Sequence, residues 1–424
     1  MKKQVKVKVE KRGKSPVLKK EGTMRRQSIG KCLIISVAMF GCILLATGES
    51  RAQKAAPYPV GAVFDLTGII SSIGGPEKRG LEIAVEAVNT AGGVNGRQLK
   101  MTVYDSESNA TKGVTETKRL IDVDKVIAGL GYSSTGVSMA AIQTVESGKI
   151  VMLSAGASEK IWIPTNKWVF NVVPRQREAS IPMLLDVLQQ RGAKKIAYIN
   201  IDNTFGQTGR EVFDWAVKEM KIIPAIIEKY AVGSTDVGPQ MTHIKAAGAD
   251  GLLITGQMAD TVMVIKNARD QGFTGPIVAD YSIVGPEFID LAGKYGEGIV
   301  TTSIKTLVAP DLPDNDPQKK VAMDLYNKYT KQYGAFSLYA GHGWDEVYLL
   351  VTALKKVDPK LDPAKDADLV KIRAQVRDNL ETIKGFVGQN GIFNYSPENH
   401  NGLGPKCYVP VVVENGKWRL YKGK

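Results

Sequence analysis

Residues 126–154 read "VIAGLGYSSTGVSMAAIQTVESGKIVMLS", and the fold is decided there. "VIAGL" and "IVMLS" are apolar runs of strand length, and between them Met139, Ile142 and Val145 recur every three residues, one face of a helix. Strand, helix, strand in so short a span implies neighbouring parallel strands with the helix laid across them. The junction "GYSSTG" at 131–136 is uncharged and rich in hydroxyls. A hydroxyl there can cap the new helix, whose first N–H groups lack partners within it and can receive an anion.

The same unit repeats in both directions. Upstream, "PVGAVF" (59–64) reads as a strand and "GPEKRGLEIAVEAVNTAG" (75–92) as a helix with Leu81, Val85 and Val88 on one face. "LKMTVYD" (99–105) and a helix over 111–121 follow. After a break near Pro174 the alternation restarts. "KIAYIN", "KIIPAIIEKY", "DGLLIT" and "PIVADYS" read as strands, separated by the helical "QTGREVFDWAVKEM", "GPQMTHIKAAG" and "ADTVMVIKNARDQG". The remainder predicts helices over 321–333, 344–355 and 369–380, and "CYVPVVVENGKWRLY" predicts a hairpin about its Asn-Gly pair. The fold class is α/β: two blocks, each a largely parallel sheet with helices on both faces.

The formal charge of +13 invites a nucleic-acid reading, but it is unevenly placed. Residues 1–52 hold 13 Lys/Arg against 3 Asp/Glu, and the rest of the chain holds 43 against 40. A mixed-sign surface of that kind is unlike a polyanion-binding face, so no nucleic-acid partner is expected. Within 1–52, Arg25, Arg26 and Lys31 precede the uncharged "CLIISVAMFGCILLAT" and then "GESRAQ", the order of a secretory signal. Sixteen residues of helix span about 24 Å, short of a hydrocarbon core of about 30 Å, so a cleaved signal is favoured over a retained anchor or a buried helix. Met24 is an alternative start. Met39, Phe40 and Gly41 match poorly the small residues that precede a lipidated cysteine, which disfavours Cys42 as a lipid anchor. The exported part holds one cysteine, Cys407, too few for an internal disulfide.

Catalytic signatures are missing. His243, His342 and His400 form no HExxH or other close ligand pair, and each reads as structural or exposed. There is no dinucleotide fingerprint, no phosphate loop and no nucleophile elbow around Ser133. Asp65, Asp105 and Asp202 lie at strand ends without an organised partner. No catalytic residue, metal or cofactor is expected.

Binding asks for less: a cleft and a few oriented polar groups. Ser133, Ser134 and Thr135 occupy the opening turn; "IVMLSAGASEKI" places Ser154, Gly156 and Ser158 after the next strand. Parallel strands point their C-terminal ends the same way, so these turns and "FDLTGIISSIGG" can converge on one ligand. "IDNTFGQTG", "ITGQMAD" and "ADYSIVG" would supply an opposite wall from the second block.

At this point "FDLTGIISSIGGPEKRGLEIAVEAVNTAGG", "GLGYSSTGVSMAAIQTVESGKIVMLSAGAS", "FGQTG" and "YAVGSTDVGPQMTHIKAAGADGLLI", in that order, resemble periplasmic solute-binding proteins of the branched-chain amino-acid ABC-transport type. The resemblance runs from about Val60 to Leu420. It implies a type I periplasmic-binding-protein fold: two α/β lobes, a ligand cleft and three interlobe crossings. The lobes would be 58–174 with about 301–384, and 175–300 with about 385–420. It implies that Ser133, Ser134, Gly156 and Ser158, with Thr135 adjacent, hold a carboxylate. Phe205 keeps the aromatic character common at its position. Gln257 stands where a tyrosine is frequent and Tyr281 where an acidic residue is, so Asp280 becomes the candidate substitute. Ile73 is a candidate apolar lid, and Tyr132 either enters the cleft or packs beneath it.

The expected function is therefore an exported, monomeric solute-binding component of an ABC importer. Its partners would be an amino acid or related small carboxylate and the permease subunits. A ligand sensor using the same cleft, or a binder of a neutral amide or aromatic acid, are the alternatives, with a hydrolase less favoured.

Overall fold

The computed structural model describes residues 55–175, 177 and 180–423. The leader, Met24, Cys32 and Cys42 lie outside the described residues. Chain order begins β1 (Tyr58–Phe64), α1 (Ser71–Thr90), β2 (Leu99–Asp105), α2 (Ala110–Asp122), β3 (Ala128–Gly131), α3 (Thr135–Gly148), β4 (Val151–Ser154) and β5 (Val169–Asn171). These five strands form one all-parallel sheet in the order β2-β1-β3-β4-β5. All four residues of β3 and of β4 are buried, because helices cover both faces.

The second block comprises α4 (Ile181–Gln190), β6 (Ile196–Ile201), α5 (Thr204–Glu219), β7 (Ile226–Tyr230), α6 (Gly238–Ala246), β8 (Gly251–Thr255), α7 (Met258–Asp270), β9 (Ile277–Ala279), α8 (Pro286–Ala292) and β10 (Val300–Ile304). The chain then returns to the first lobe for α9 (Lys319–Tyr333), α10 (Tyr339–Leu354), α11 (Asp366–Glu381) and a small hairpin, β11 (Phe386–Val387) with β12 (Ile392–Phe393). Their apolar faces share a core with β1 and α1. It crosses once more to end in β13 (Tyr408–Glu414) and β14 (Lys417–Leu420). These two strands extend the second sheet antiparallel, giving β14-β13-β10-β9-β8-β6-β7. Two α/β lobes joined by three crossings are the type I periplasmic-binding-protein architecture.

Most elements lie where their periodicity puts them, and the differences have local causes. α1 begins at Ser71, four residues ahead of the expected start at Gly75. A Cβ on Gly74 would lie 2.3 Å from the Asp65 carbonyl oxygen, so the missing side chain lets the first turn rest on the end of β1. In "KIIPAIIEKY" only the second half pairs, and Ile223, 88% exposed, stays outside the sheet. β10 carries no apolar signal because its buried Thr301 and Thr302 are satisfied by Asp280 O (2.8 Å) and Ser180 Oγ (2.9 Å).

Strand order locates the cleft. In the first sheet it reverses about β1, between β2 and β3; in the second it reverses about β6, between β7 and β8. Ligands bind in α/β sheets beyond the C-terminal strand ends at such reversals.

Candidate functional site

A cavity of about 220 Å³ opens where these two sets of strand ends meet. From the first lobe it takes Ile69, Ile70 and Ile73 after β1, Ser133 to Gly136 after β3, and Ala155 and Ala157 after β4. From the second it takes Asn203, Thr204 and Phe205 after β6, Val232 after β7, Gln257 after β8, and Tyr281 and Ser282 after β9. Ser108 and, from α10, Tyr339 and His342 complete the wall.

The serine turn is built by backbone geometry. Gly131 (φ 89°) and Tyr132 (φ 53°) both take the left-handed region, which bends the chain sharply out of β3. For a tyrosine that conformation is strained. It is held by a 2.6 Å bond from Tyr132 N to Val63 O and by complete burial of the ring. Ser134 then caps α3, its Oγ accepting from Val137 N at 3.2 Å. The N–H groups of Thr135 and Gly136, in the first turn, have no preceding carbonyl to meet. Thr135 Oγ1 is buried without a partner among the described residues.

Two buried carboxyl groups stand behind this wall. Asp65 accepts from Ser106 Oγ (2.8 Å) and from Ser134 N (2.9 Å). Burial nevertheless pushes its pKa up to about 6. Glu77, on α1, is 0% exposed and meets His342 Nδ1 at 3.1 Å. Burial raises its pKa, against the lowering pull of His342 and of the neighbouring Ser133 hydroxyl.

The second lobe repeats the capped-helix device. Asn203 caps α5 through a 2.9 Å bond from Gly206 N. Gln257 precedes α7 but makes no side-chain cap, leaving its amide to the cavity. The Tyr281 hydroxyl is buried without a partner among the described residues, and its ring packs edge-on against Tyr408 with centroids 5.2 Å apart.

The structure thus brings Ile73, Ser133, Ser134, Thr135, Phe205, Gln257 and Tyr281 to one cavity, and it does not bring Tyr132, Ser154, Gly156, Ser158 or Asp280. Tyr132 packs beneath the turn, its hydroxyl 3.4 Å from Thr117 Oγ1. After β4 the side chains alternate, so Ala155 and Ala157 face the cavity and the expected Gly156 and Ser158 face away. Ser154 Oγ meets Ser138 Oγ (2.8 Å) and accepts from Gly156 N (3.0 Å), so the expected amide donor is already engaged. Ser158 Oγ meets Thr208 Oγ1 of α5 at 2.8 Å. Asp280 turns into the second lobe and accepts from Ser282 N (2.9 Å); burial pushes its pKa up to about 7.

The sequence reading missed Tyr339 and His342, which arrive from a helix remote in sequence from every quoted turn. Ala155 and Ala157 were within reach of the alternation rule. Among the described residues, no Asp, Glu, Lys or Arg side chain lines the cavity. Its chemistry is one of hydroxyls, amides, an imidazole and helix N–H groups on a mainly apolar surface.

Residues 57–417 match the family described as "Periplasmic binding protein". The chain belongs to the periplasmic binding protein family. Within this family it is 26% identical over 309 residues to the Leu/Ile/Val-binding protein homolog 7 of Brucella abortus (strain 2308), covering 68% of this chain and 74% of that one. It is 24% identical over 315 residues to a Pseudomonas aeruginosa protein named "Amino acid binding protein", covering 74% of this chain and 82% of that one. Among solved structures, an extracellular ligand-binding receptor from Rhodopseudomonas palustris HaA2 superposes with a TM-score of 0.77 at 25% identity, over 86% of this chain and 99% of that one. A leucine-binding protein from Thermotoga maritima shares the fold, with a TM-score of 0.73 at 22% identity over 86% of this chain and 97% of the other.

Proposed function

We propose that this periplasmic binding protein is the exported, monomeric solute-binding component of an ABC importer. It would bind a small carboxylate with an apolar body reversibly and hand it to the permease. The observation that carries this reading is the makeup of the cavity: a capped helix start with unspent N–H groups on one side, and no acidic side chain on the wall among the described residues. The start of α3 carries partial positive charge and takes a carboxylate well. Ile69, Ile70, Phe205 and Tyr281 cover the rest of the solute. An α-ammonium group would find no anion there, at a desolvation cost of several kcal/mol.

The names of the Brucella and Pseudomonas relatives favour a second reading, an amino acid, with Gln257 and the Tyr281 hydroxyl receiving the ammonium. Calorimetry on the purified protein separates the two. Isocaproate and hydrocinnamate should bind at least about tenfold more tightly than leucine and phenylalanine, the same skeletons with an ammonium added. The opposite order selects the amino-acid reading. The bound solute should be recovered chemically unchanged by mass spectrometry, and a stoichiometric product would reject a binding role.

A further inference from the structure

His342 offers more than packing. It sits on α10 at 2% exposure, its imidazole forms part of the cavity wall, and its Nδ1 is turned to Glu77 Oε1 at 3.1 Å. The remaining ring nitrogen, Nε2, is buried with no hydrogen-bond partner among the described residues. A buried polar atom without a partner is costly, and one on the wall of a cavity marks where a ligand atom supplies the partner.

The protonation state of that nitrogen follows from counting protons. If the Glu77–His342 pair is neutral overall and one proton is shared between Glu77 Oε1 and Nδ1, the second proton lies on Nε2. Nε2 becomes an acceptor only if the pair carries a net negative charge or if Glu77 holds its proton on Oε2, an atom buried with no hydrogen-bond partner among the described residues to receive it. The surroundings oppose that. Glu346 is also 0% exposed and feels the charges of Glu77 and Asp345, Glu77 feels His342, and Asp65 lies close enough to Glu77 to feel it. Burial raises the pKa of each of these carboxyls, so a net negative charge on the pair is disfavoured.

Nε2–H is thus a buried donor on a residue that lines the cavity. It stands on the serine side, since Glu77 lies between His342 and the Ser133 hydroxyl. Taking the functional reading above as given, the geometry points to His342 as a direct donor to the carboxylate of the solute, sharing it with the start of α3, while Glu77 positions the ring. When the carboxylate arrives, the pair can shift its shared proton to Nδ1, leaving imidazolium against the solute and carboxylate at Glu77. No external proton is needed.

The test compares isocaproate and hydrocinnamate with their primary amides on the purified protein. In His342→Phe, which keeps an aromatic ring and loses the donor, carboxylate affinity should fall about ten- to a hundredfold. Amide affinity should change less than about threefold, because a neutral carbonyl gains less from the donor. His342→Gln, which restores an N–H at similar reach, should recover most of the carboxylate affinity. Because His342→Phe strands Glu77, nitrogen NMR of the unaltered protein provides an independent arm: Nε2 should remain protonated and shift on adding isocaproate. Undiminished carboxylate binding by His342→Phe, equal losses for acid and amide, or an Nε2 signal that ignores the carboxylate overturns the assignment while leaving the functional reading standing. If the unaltered protein binds no carboxylate, the functional reading falls and this inference with it.

Discussion

Ser134 and Thr135 adjoin in the chain, and their hydroxyls have different obligations. Ser134 Oγ accepts from Val137 N and contacts Asp65, so Ser134→Ala removes a helix cap and should lower stability by about 1 kcal/mol along with carboxylate affinity. Thr135 Oγ1 has no partner within the described protein. Thr135→Val should therefore leave stability within about 0.5 kcal/mol while weakening carboxylate binding about tenfold, read by thermal melting and calorimetry on the same samples. The hydroxyl-rich turn was legible in the sequence because its residue types are those that serve helix starts; which hydroxyl is spent on the cap was not, since that depends on rotamers. Asp65 behind them gives a pH prediction. Its folded pKa of about 6 lies above the ordinary value of about 4, so the fold favours its protonated form. The stability it contributes is fully present below about pH 4 and lost as pH rises through about 6, with an upper limit of about 3 kcal/mol. Wild type should accordingly lose stability relative to Asp65→Asn over that window, and denaturation curves that stay parallel from acid to neutral pH would reject the assignment.

At the scale of elements, the site depends on how α1 and α10 cross. A Cβ on Gly80 would lie 1.9 Å from the Ala340 carbonyl oxygen, and one on Gly343 would lie 2.2 Å from that of Glu77. The two helices meet backbone to backbone, and this close approach lets Glu77 reach His342. Gly343→Ala must push them apart; about 1–3 kcal/mol of stability should go, seen as a lower denaturation midpoint, and carboxylate affinity should fall with it. Parallel strands buried on both faces were legible as apolar runs, and the terminal hairpin as its turn: Asn415 (φ 53°) and Gly416 (φ 66°) take the left-handed pair that such a two-residue turn demands. β10 was not legible, because buried threonines satisfied by hydrogen bonds look polar in sequence. Nor was the partnership of α1 with α10, which no local period encodes.

At the scale of the whole molecule, the walls of the cavity come from lobes that also touch each other directly. Ser158 of the first lobe meets Thr208 of the second at 2.8 Å, and the Tyr339 hydroxyl donates to Ser282 O at 2.6 Å. Ser158 does not line the cavity, so Ser158→Ala should lower affinity a few-fold, about 0.5–1 kcal/mol, without changing which solutes bind. A change in the order of preference among isocaproate, hydrocinnamate and their amides would show that Ser158 contacts the solute instead. The two-lobed plan was legible from the repeated units and the ordered motifs. The full wall was not, because a cavity assembled at two reversals of strand order draws on residues from most of the chain.

These direct lobe-to-lobe bonds also bear on time. Any separation of the lobes parts Ser158 from Thr208 and Tyr339 from Ser282, whatever solute lies between the walls. That part of the barrier to departure is common to all cargo. Weakening it with Ser158→Ala should shorten the residence of every solute by a similar factor, whereas His342→Phe should shorten it for carboxylates alone. Stopped-flow release would then sort the clasp from the selector.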